Sequence, residues 1–315
     1  LSHNIPDNDS VVGVKLREAG TVLMGKTNTH EWAFGPTGEN SYYGPTRNPW
    51  NPKKISGGSS GGSGIAVAIG MAFAGMGTDT GGSIRFPAAL CGIVGYKPSY
   101  GLVSTEGIVP LSRTLDHAGP ITRSVLDAAI VMDKISGTKN VPPTHLTEAV
   151  KAADDLKGVK VGIPKNFFFE KTDYEIEKLV RQGIKRLEEL GAVTCEVEIP
   201  YVEQVPAVST TILFSEAANS HRELFAKYEQ YYQPDVADRL RKGKAILASD
   251  YVAAQIMRDK IIDAWEEVMK TVDIVVAPTC PMAAYDIGLM EIETRGKKEP
   301  AREMCVRHTR FSNMT

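Results

Sequence analysis

Two glycine- and serine-rich segments carry the strongest chemical signal in this chain. The first, Gly57-Gly58-Ser59-Ser60-Gly61-Gly62-Ser63-Gly64, runs straight into the apolar stretch Ile65 to Met71. The second, Gly81-Gly82-Ser83, precedes another apolar stretch from Ile84 to Leu90. Glycines let a backbone approach closely, and serine hydroxyls supply nucleophiles. Four readings fit. A flexible linker is one, although linkers rarely run directly into an apolar element or recur as a second Gly-Gly-Ser. A phosphate-cradling loop is another. The GxxxxGK[ST] pattern is absent because no lysine follows the glycines, while a kinase of another type could still use such a loop at a helix N-terminus. Gly57 to Gly61 also fits the GxSxG nucleophile elbow, with Ser59 attacking. That elbow needs a strand before it, and Asn51-Pro52-Lys53-Lys54-Ile55 is a poor one. Its base would be His221 or His308, each of which reads more readily as an ordinary surface or packed histidine. The fourth reading uses both loops together.

The elements that must position these loops alternate between strand and helix. Val11 to Ala19 reads as the end of a helix closed by Gly20, and Thr21 to Met24 as a short strand. Prolines 36, 45, 49 and 52 break up the stretch from Thr27 to Lys54. Ile65 to Met71 suits a buried helix and Ala72 to Gly77 a short strand. Ile84 to Leu90 continues as a helix only if Pro87 lies in its first turn. Further on, Val159 to Ile163 reads as a strand and Tyr174 to Leu190 as an amphipathic helix. Its apolar face holds Ile176, Leu179, Val180, Ile184, Leu187 and Leu190. Val193, Cys195, Val197 and Ile199 alternate as in a half-buried strand, and a helix over Tyr251 to Val272 leads into a strand at Asp273 to Ala277. Strands separated by helices predict an α/β fold with a mixed sheet flanked by helices. Residues 1–315 are expected to form a single domain, with 137–158 the only candidate seam.

Composition narrows the function classes. At 315 residues and 42% hydrophobic, the chain can bury a large core. A net charge of -2 gives no general attraction to nucleic acid or anionic membranes. The basic stretch Arg295 to Lys298 reads as a solvated loop, and no apolar run reaches the roughly 18 residues of a membrane span. Cys91, Cys195, Cys280 and Cys305 form no CxxC pair, which suits reduced thiols and a cytoplasmic location. Cys305 and His308 have a metal-like spacing without a second pair, so no metal is expected. The chain begins at Leu1 and stops at Thr315 in mid-pattern, so both ends are expected to be cut, and targeting signals with them.

Read together, the loops and their flanks resemble the amidase signature family. The match runs through Gly25-Lys26-Thr27-Asn28, Asn48-Pro49-Trp50, Gly57 to Ser63, and Gly77-Thr78-Asp79-Thr80-Gly81-Gly82-Ser83-Ile84-Arg85. It continues with Cys91-Gly92, Gly95-Tyr96-Lys97-Pro98 and Asp116-His117-Ala118-Gly119-Pro120. Later it loosens to Asp250-Tyr251 and Ala277-Pro278-Thr279.

The resemblance implies hydrolysis of a linear carboxamide through an acyl-enzyme, without metal or cofactor. Ser83 falls on the acylated nucleophile, and Ser59, 24 positions earlier, on a bridging serine that follows a cis peptide bond. A neutral lysine takes the proton that Ser59 takes from Ser83. Thr80, Gly81, Gly82 and Ser83 would offer backbone N–H groups to an oxyanion. Asp79 and Ser60 brace the loops, Arg85 makes a structural ion pair, and the segment Glu31 to Asn40 lines the pocket near Ala33. The family's lysine lies several tens of residues before the bridging serine, which runs off the start of this chain. None of Lys15, Lys26, Lys53 or Lys54 has its context, so these 315 residues are expected to be inactive alone. A small-molecule amide is the expected partner, with no nucleic acid or membrane and with homodimerisation left open. Two alternatives stand: a glutaminase subunit of a tRNA-dependent amidotransferase, in which Phe86 would replace a customary glutamine, and a catalytically dead scaffold.

Overall fold

The computed structural model describes residues 6–39 and 42–315, so Asn40 lies outside the described residues. The first helix, α1 (Val11–Glu18), is capped by the Ser10 hydroxyl, which accepts from the Gly13 N–H at 3.2 Å. It stops before Gly20, whose φ of +78° a helix cannot continue. The strand expected at 21–24 does not form. Val22, Leu23 and Met24 are more than three-quarters exposed and pair with no strand among the described residues.

Then come α2 (Gly61–Ala68), β1 (Ala74–Asp79), α3 (Arg85–Cys91), β2 (Val94–Gly95), β3 (His117–Thr122), α4 (Val125–Ile135) and α5 (Leu146–Ala152). Pro87 is the third residue of α3, inside the first turn, where its missing N–H costs nothing. β3 lies between β1 and β2, antiparallel to both, with Asp79 opposite His117. This small sheet carries both loops, because α2 feeds β1 and β1 feeds α3. The stretch 137–158 holds α5, which is tied to α4 by the Asp133 carboxylate accepting from Leu146 N–H (2.7 Å) and Thr147 N–H (2.9 Å).

The second half contributes β4 (Lys160–Pro164), α6 (Tyr174–Glu189), β5 (Val193–Val197), α7 (Val205–Ser220), α8 (Arg222–Tyr228), α9 (Pro234–Lys244), α10 (Ala248–Met269) and β6 (Ile274–Val275). Its sheet is parallel, in the order β5-β4-β6. The strand expected at 273–277 shortens to two residues, since only Ile274 and Val275 pair with β4. Of the apolar face predicted for α6, Ile184 is buried while Leu179 and Leu190 stay exposed. A hairpin of β7 (Glu291–Thr294) and β8 (Lys297–Pro300) turns at Arg295 and Gly296, both at positive φ as a two-residue turn of this kind requires. The basic stretch therefore spans the hairpin turn and the first two residues of β8, and Arg295 is held by Glu177 and by the Thr172 carbonyl. Two short helices, α11 (Ala301–Val306) and α12 (Phe311–Met314), end the chain.

The α/β class holds, but among the described residues the strands form three separate small sheets, not one mixed sheet. No ladder hydrogen bonds join them; side chains do. One apolar cluster packs Phe167, Ile199, Ile212, Ile261, Phe311 and Met314 between the parallel sheet, α7, α10 and α12. A second packs Ile55, Phe86 and Leu90 against Met304 and Cys305 of α11. The C-terminal helices are thus a wedge between the Gly/Ser loops and the second half.

These burial differences set an expected stability ranking. Met132→Ala, at a fully buried site in α4, should cost about 2–5 kcal/mol. Leu179→Ala, on the exposed side of α6, should shift stability by less than about 0.5 kcal/mol. Urea unfolding midpoints measure both, and equal shifts would contradict this core.

Candidate active site

β1 ends at Asp79, and the chain turns through Thr80 to Ile84 before α3 begins. The fully buried Asp79 carboxylate shapes that turn. It accepts from Gly82 N–H (2.8 Å), Ile84 N–H (3.1 Å), and Arg85 Nε (3.0 Å) and Nη2 (2.8 Å). Asn313 Nδ2 of α12 donates to it at 2.9 Å. Burial alone would push this carboxyl upward, but the Arg85 guanidinium and the donated hydrogen bonds outweigh it and hold Asp79 well below the usual carboxylate range. Gly82 takes φ +138°, and a β-carbon there would sit 2.1 Å from Thr309 Oγ1. Thr309 closes the turn from outside, donating from Oγ1 to the Gly81 carbonyl at 2.6 Å.

The first Gly/Ser segment is the entry to α2, and Ser56 to Gly61 are all buried, which rules out a linker. Gly57 lies against α3 at φ +76°, where a β-carbon would meet Pro87 Cα at 2.9 Å. The Gly58–Ser59 peptide bond is cis. The Ser59 carbonyl accepts from His30 N–H (3.1 Å) and Thr29 Oγ1 (2.7 Å). Ser60 joins the two loops: its N–H donates to the Ser83 carbonyl at 3.3 Å and its hydroxyl to the Thr78 carbonyl at 3.3 Å. The Ser59 hydroxyl is buried and has no hydrogen-bond partner among the described residues. Leaving such a group unpaired costs roughly 1–3 kcal/mol, so it calls for a reason.

The Amidase family model matches residues 1–309. The chain belongs to the Amidase family. Among curated relatives, the glutamyl-tRNA(Gln) amidotransferase A-subunit of Exiguobacterium sibiricum is 38% identical over 319 residues, covering 91% of this chain and 66% of the relative. Its counterpart in Lawsonia intracellularis is also 38% identical, with the same coverage. The chain therefore spans just under two thirds of the length of these relatives. A crystal structure of an amidase superposes with a TM-score of 0.89 at 37% identity, over 99% of this chain and 69% of that one. The glutamyl-tRNA(Gln) amidotransferase A-subunit of Thermotoga maritima gives 0.82 at 35% identity, over 100% and 69%.

Within this Amidase fold, Ser83 lines a cavity of about 640 Å³ together with Thr80, Gly81 and Ala33. Ala33 and its neighbour Trp32 both take positive φ, +57° and +54°, which non-glycine residues adopt seldom and mostly where the surroundings impose it. The Gly82 N–H is taken by Asp79. Among the described residues, the N–H groups of Thr80, Gly81 and Ser83 have no acceptor.

The elbow reading fails here. Among the described residues no strand precedes Gly57; Arg47, Lys54 and Ile55 make isolated bridges. His221 bonds the Tyr232 hydroxyl at 3.1 Å, His308 bonds the Pro278 carbonyl at 2.9 Å, and neither bonds Ser59 or Ser83. Cys305 faces the Tyr285 hydroxyl and the Ala301 carbonyl. Lys15 caps α4 through the carbonyls of Ile135, Ser136 and Gly137, Lys54 pairs with Asp286, and Lys26 and Lys53 are exposed.

Sequence reasoning missed two features. The C-terminal polar residues Thr309, Ser312 and Asn313 buttress the Ser83 turn, with the Ser312 hydroxyl accepting from Arg85. Their only signal is polar residues set among the apolar ones of 304–314. Lys97, half-buried beside this ion pair, donates from Nζ to the Pro98 carbonyl at 2.7 Å. Burial, then the Arg85 charge, lower its pKa to about 8 despite Asp79.

The depressed Asp79 carboxyl has a definite sign in stability. Its contribution is complete above the unfolded value near pH 3.9 and drains away as pH falls below that. Asp79→Asn should therefore unfold more easily at pH 7 and show a flatter decline in urea midpoint between pH 5 and about pH 3. Parallel declines for the two proteins would show that Asp79 does not carry this charge.

Proposed function

We propose that the protein is a serine amidohydrolase in which Ser83 attacks a linear carboxamide and Ser59 carries the proton. The observation that carries this reading is the buried, unpaired Ser59 hydroxyl, held in a loop hydrogen-bonded to Ser83 itself. Ser83 Oγ forms a bond to the carbonyl carbon while its proton passes to Ser59, whose own proton passes to a base. The resulting oxyanion is met by backbone N–H groups of the Thr80–Ser83 turn, each such donor being worth roughly 3–4 kcal/mol of barrier. The base returns its proton through Ser59 to the leaving nitrogen, the C–N bond breaks, and water later releases the acid from Ser83. Asp79, Arg85 and Ser60 act by holding the two turns, and Ala33 by shaping the pocket. We place the base outside these 315 residues, since no lysine among the described residues bonds Ser59. Four free thiols suit a cytoplasmic setting. The amidotransferase relatives favour a second reading, a glutaminase subunit working with partner chains. Phe86 does not bear on the pocket, being fully buried against Ile55 and Leu90.

Labelling of the full-length protein by a fluorophosphonate, mapped by mass spectrometry, should fall on Ser83; an adduct on Ser59 would refute the assignment, and none at all would favour a scaffold. In the full-length protein Ser59→Ala should lower kcat by roughly 10²–10⁴-fold with KM little changed, because the relay acts in the transition state. A changed KM with intact kcat would make Ser59 a substrate contact.

The 315-residue chain should turn over amides far more slowly than a version extended upstream. The extended enzyme's rate should rise with pH to a plateau as its base becomes neutral. Equal rates would place the base inside this sequence, with Lys97→Met the next variant to measure.

A further inference from the structure

The His30 ring is fully buried and has no place in the reaction described above. Its Nδ1 has no partner among the described residues. Its Nε2 faces Asp235 Oδ2 at 3.4 Å, within ion-pair distance but not aligned as a hydrogen bond. Asp235, the second residue of α9, is fixed as well by Arg239 and Arg302, each donating to Oδ2 at 3.1 Å. Burial alone would raise that carboxyl, but the His30 contact and the two guanidinium charges hold its pKa at about 2. Burial in turn lowers the His30 pKa against the pull of Asp235. An uncharged imidazole therefore faces a charged carboxylate at neutral pH. A buried polar ring with so few partners is costly and calls for a reason.

The ring is also sterically held. A β-carbon built on Gly35 would lie 2.1 Å from His30 Nε2 and 2.3 Å from Cε1, so the imidazole packs directly on that backbone. The backbone N–H of the same residue donates to the Ser59 carbonyl at 3.1 Å, beside Thr29 Oγ1 at 2.7 Å. One residue thus joins the first turn of α9 to the loop that carries Ser59. The pocket wall that follows has anchors of its own. The Glu31 carboxylate accepts from Gln233 N–H at 2.9 Å, the Phe34 carbonyl accepts from Arg239 Nη1, and Trp32 stacks on Tyr232 with ring centroids 5.6 Å apart.

We propose that His30 is a positioning residue for Ser59: its ring, held by Asp235 and Gly35, fixes the backbone N–H that fastens the Ser59 carbonyl, and through it the Ser59 hydroxyl. This rests on the proton-relay reading above. A hydroxyl that passes a proton must keep its place within about 0.5 Å, and a misplacement of about 1 Å costs up to about 10²-fold in rate. Removing the imidazole leaves a hole behind the segment 29–35, which relaxes into it and carries its N–H away from Ser59. The effect falls on turnover, since the pocket wall keeps its contacts with Gln233 and Arg239.

The test measures kcat and KM of the full-length protein on a simple aryl amide. His30→Ala should lower kcat by roughly 10- to 100-fold while KM changes by less than about threefold. In a Ser59→Ala background the same substitution should change kcat by less than about twofold, because the group it positions is already gone. His30→Gln, whose carboxamide N–H can face Asp235 from the same place, should regain most of the loss. Should the alanine variant fail to fold, His30→Leu fills the space without a donor and carries the same expectations. A loss that multiplies undiminished onto Ser59→Ala would mark general disruption, and a raised KM with intact kcat a pocket-wall residue; either would overturn the inference. If Ser59→Ala itself leaves kcat unchanged, the relay reading fails and this inference falls with it. A large Ser59→Ala loss with an independent His30→Ala loss sinks this inference alone.

Discussion

The buried carboxylate of Asp79 is the constraint on which the site depends. It has no exposure to water, yet it stays charged because Arg85 forks onto it and Asn313 and two backbone N–H groups fill its remaining acceptor positions. A carboxylate moved into such surroundings alone would take up a proton instead. Charge and geometry are therefore linked. Protonated Asp79 would accept fewer bonds, and the Gly82 and Ile84 N–H groups that define the turn would lose their anchor. The position of Ser83 is in this sense an electrostatic consequence of a residue four places earlier.

That arrangement requires the far end of the chain. Asn313 donates to both the side chain and the backbone carbonyl of Asp79, and Thr309 fixes Gly81, across more than 220 residues of sequence. Hydrogen bonds alone would not hold α11 and α12 there, since each net contribution is about 1 kcal/mol. Apolar burial does so: Met304 and Cys305 pack on Phe86, while Phe311 and Met314 pack into the core of the second half. The same wedge that packs between the Gly/Ser loops and the second half delivers the polar groups that brace the turn carrying Ser83.

What was legible in the sequence was local. Glycines at Gly57 and Gly82 mark close backbone approach whatever surrounds them, and the helices α3 and α10 follow from periodicity and proline placement. The strand expected at 21–24 failed because β-structure needs a partner ladder, and a run of apolar residues does not say whether one is present. The apolar face of α6 was real in sequence but only partly covered, for the same reason. Thr309 and Asn313 were invisible because their roles come entirely from residues distant in the chain. The diversion of the Gly82 N–H was nearer to hand. An Asp three residues before a backbone N–H commonly accepts from it, and Asp79 and Gly82 stand in that relation.

Lys97 shows why a perturbed group is not by itself a catalytic one. Burial and the neighbouring Arg85 charge bring its pKa to about 8, so near neutral pH a fraction is uncharged and chemically able to accept a proton. A general base must also lie within hydrogen-bond reach of the proton it removes. Lys97 Nζ is oriented on the Pro98 carbonyl, and the Ser59 hydroxyl has no partner among the described residues. The electrostatics of Lys97 belong instead to the field of the Asp79–Arg85 pair. Asp79 also acts on His117, whose pKa is lowered to about 4 chiefly by burial and then by Lys97 itself. His117 is therefore neutral near pH 7, while Lys97 is still mostly a cation there and meets repulsion from Arg85 and attraction from Asp79. The buried Asp79 carboxylate is thus the anion that both cations face, which ties the charge balance of this corner to the turn that carries Ser83.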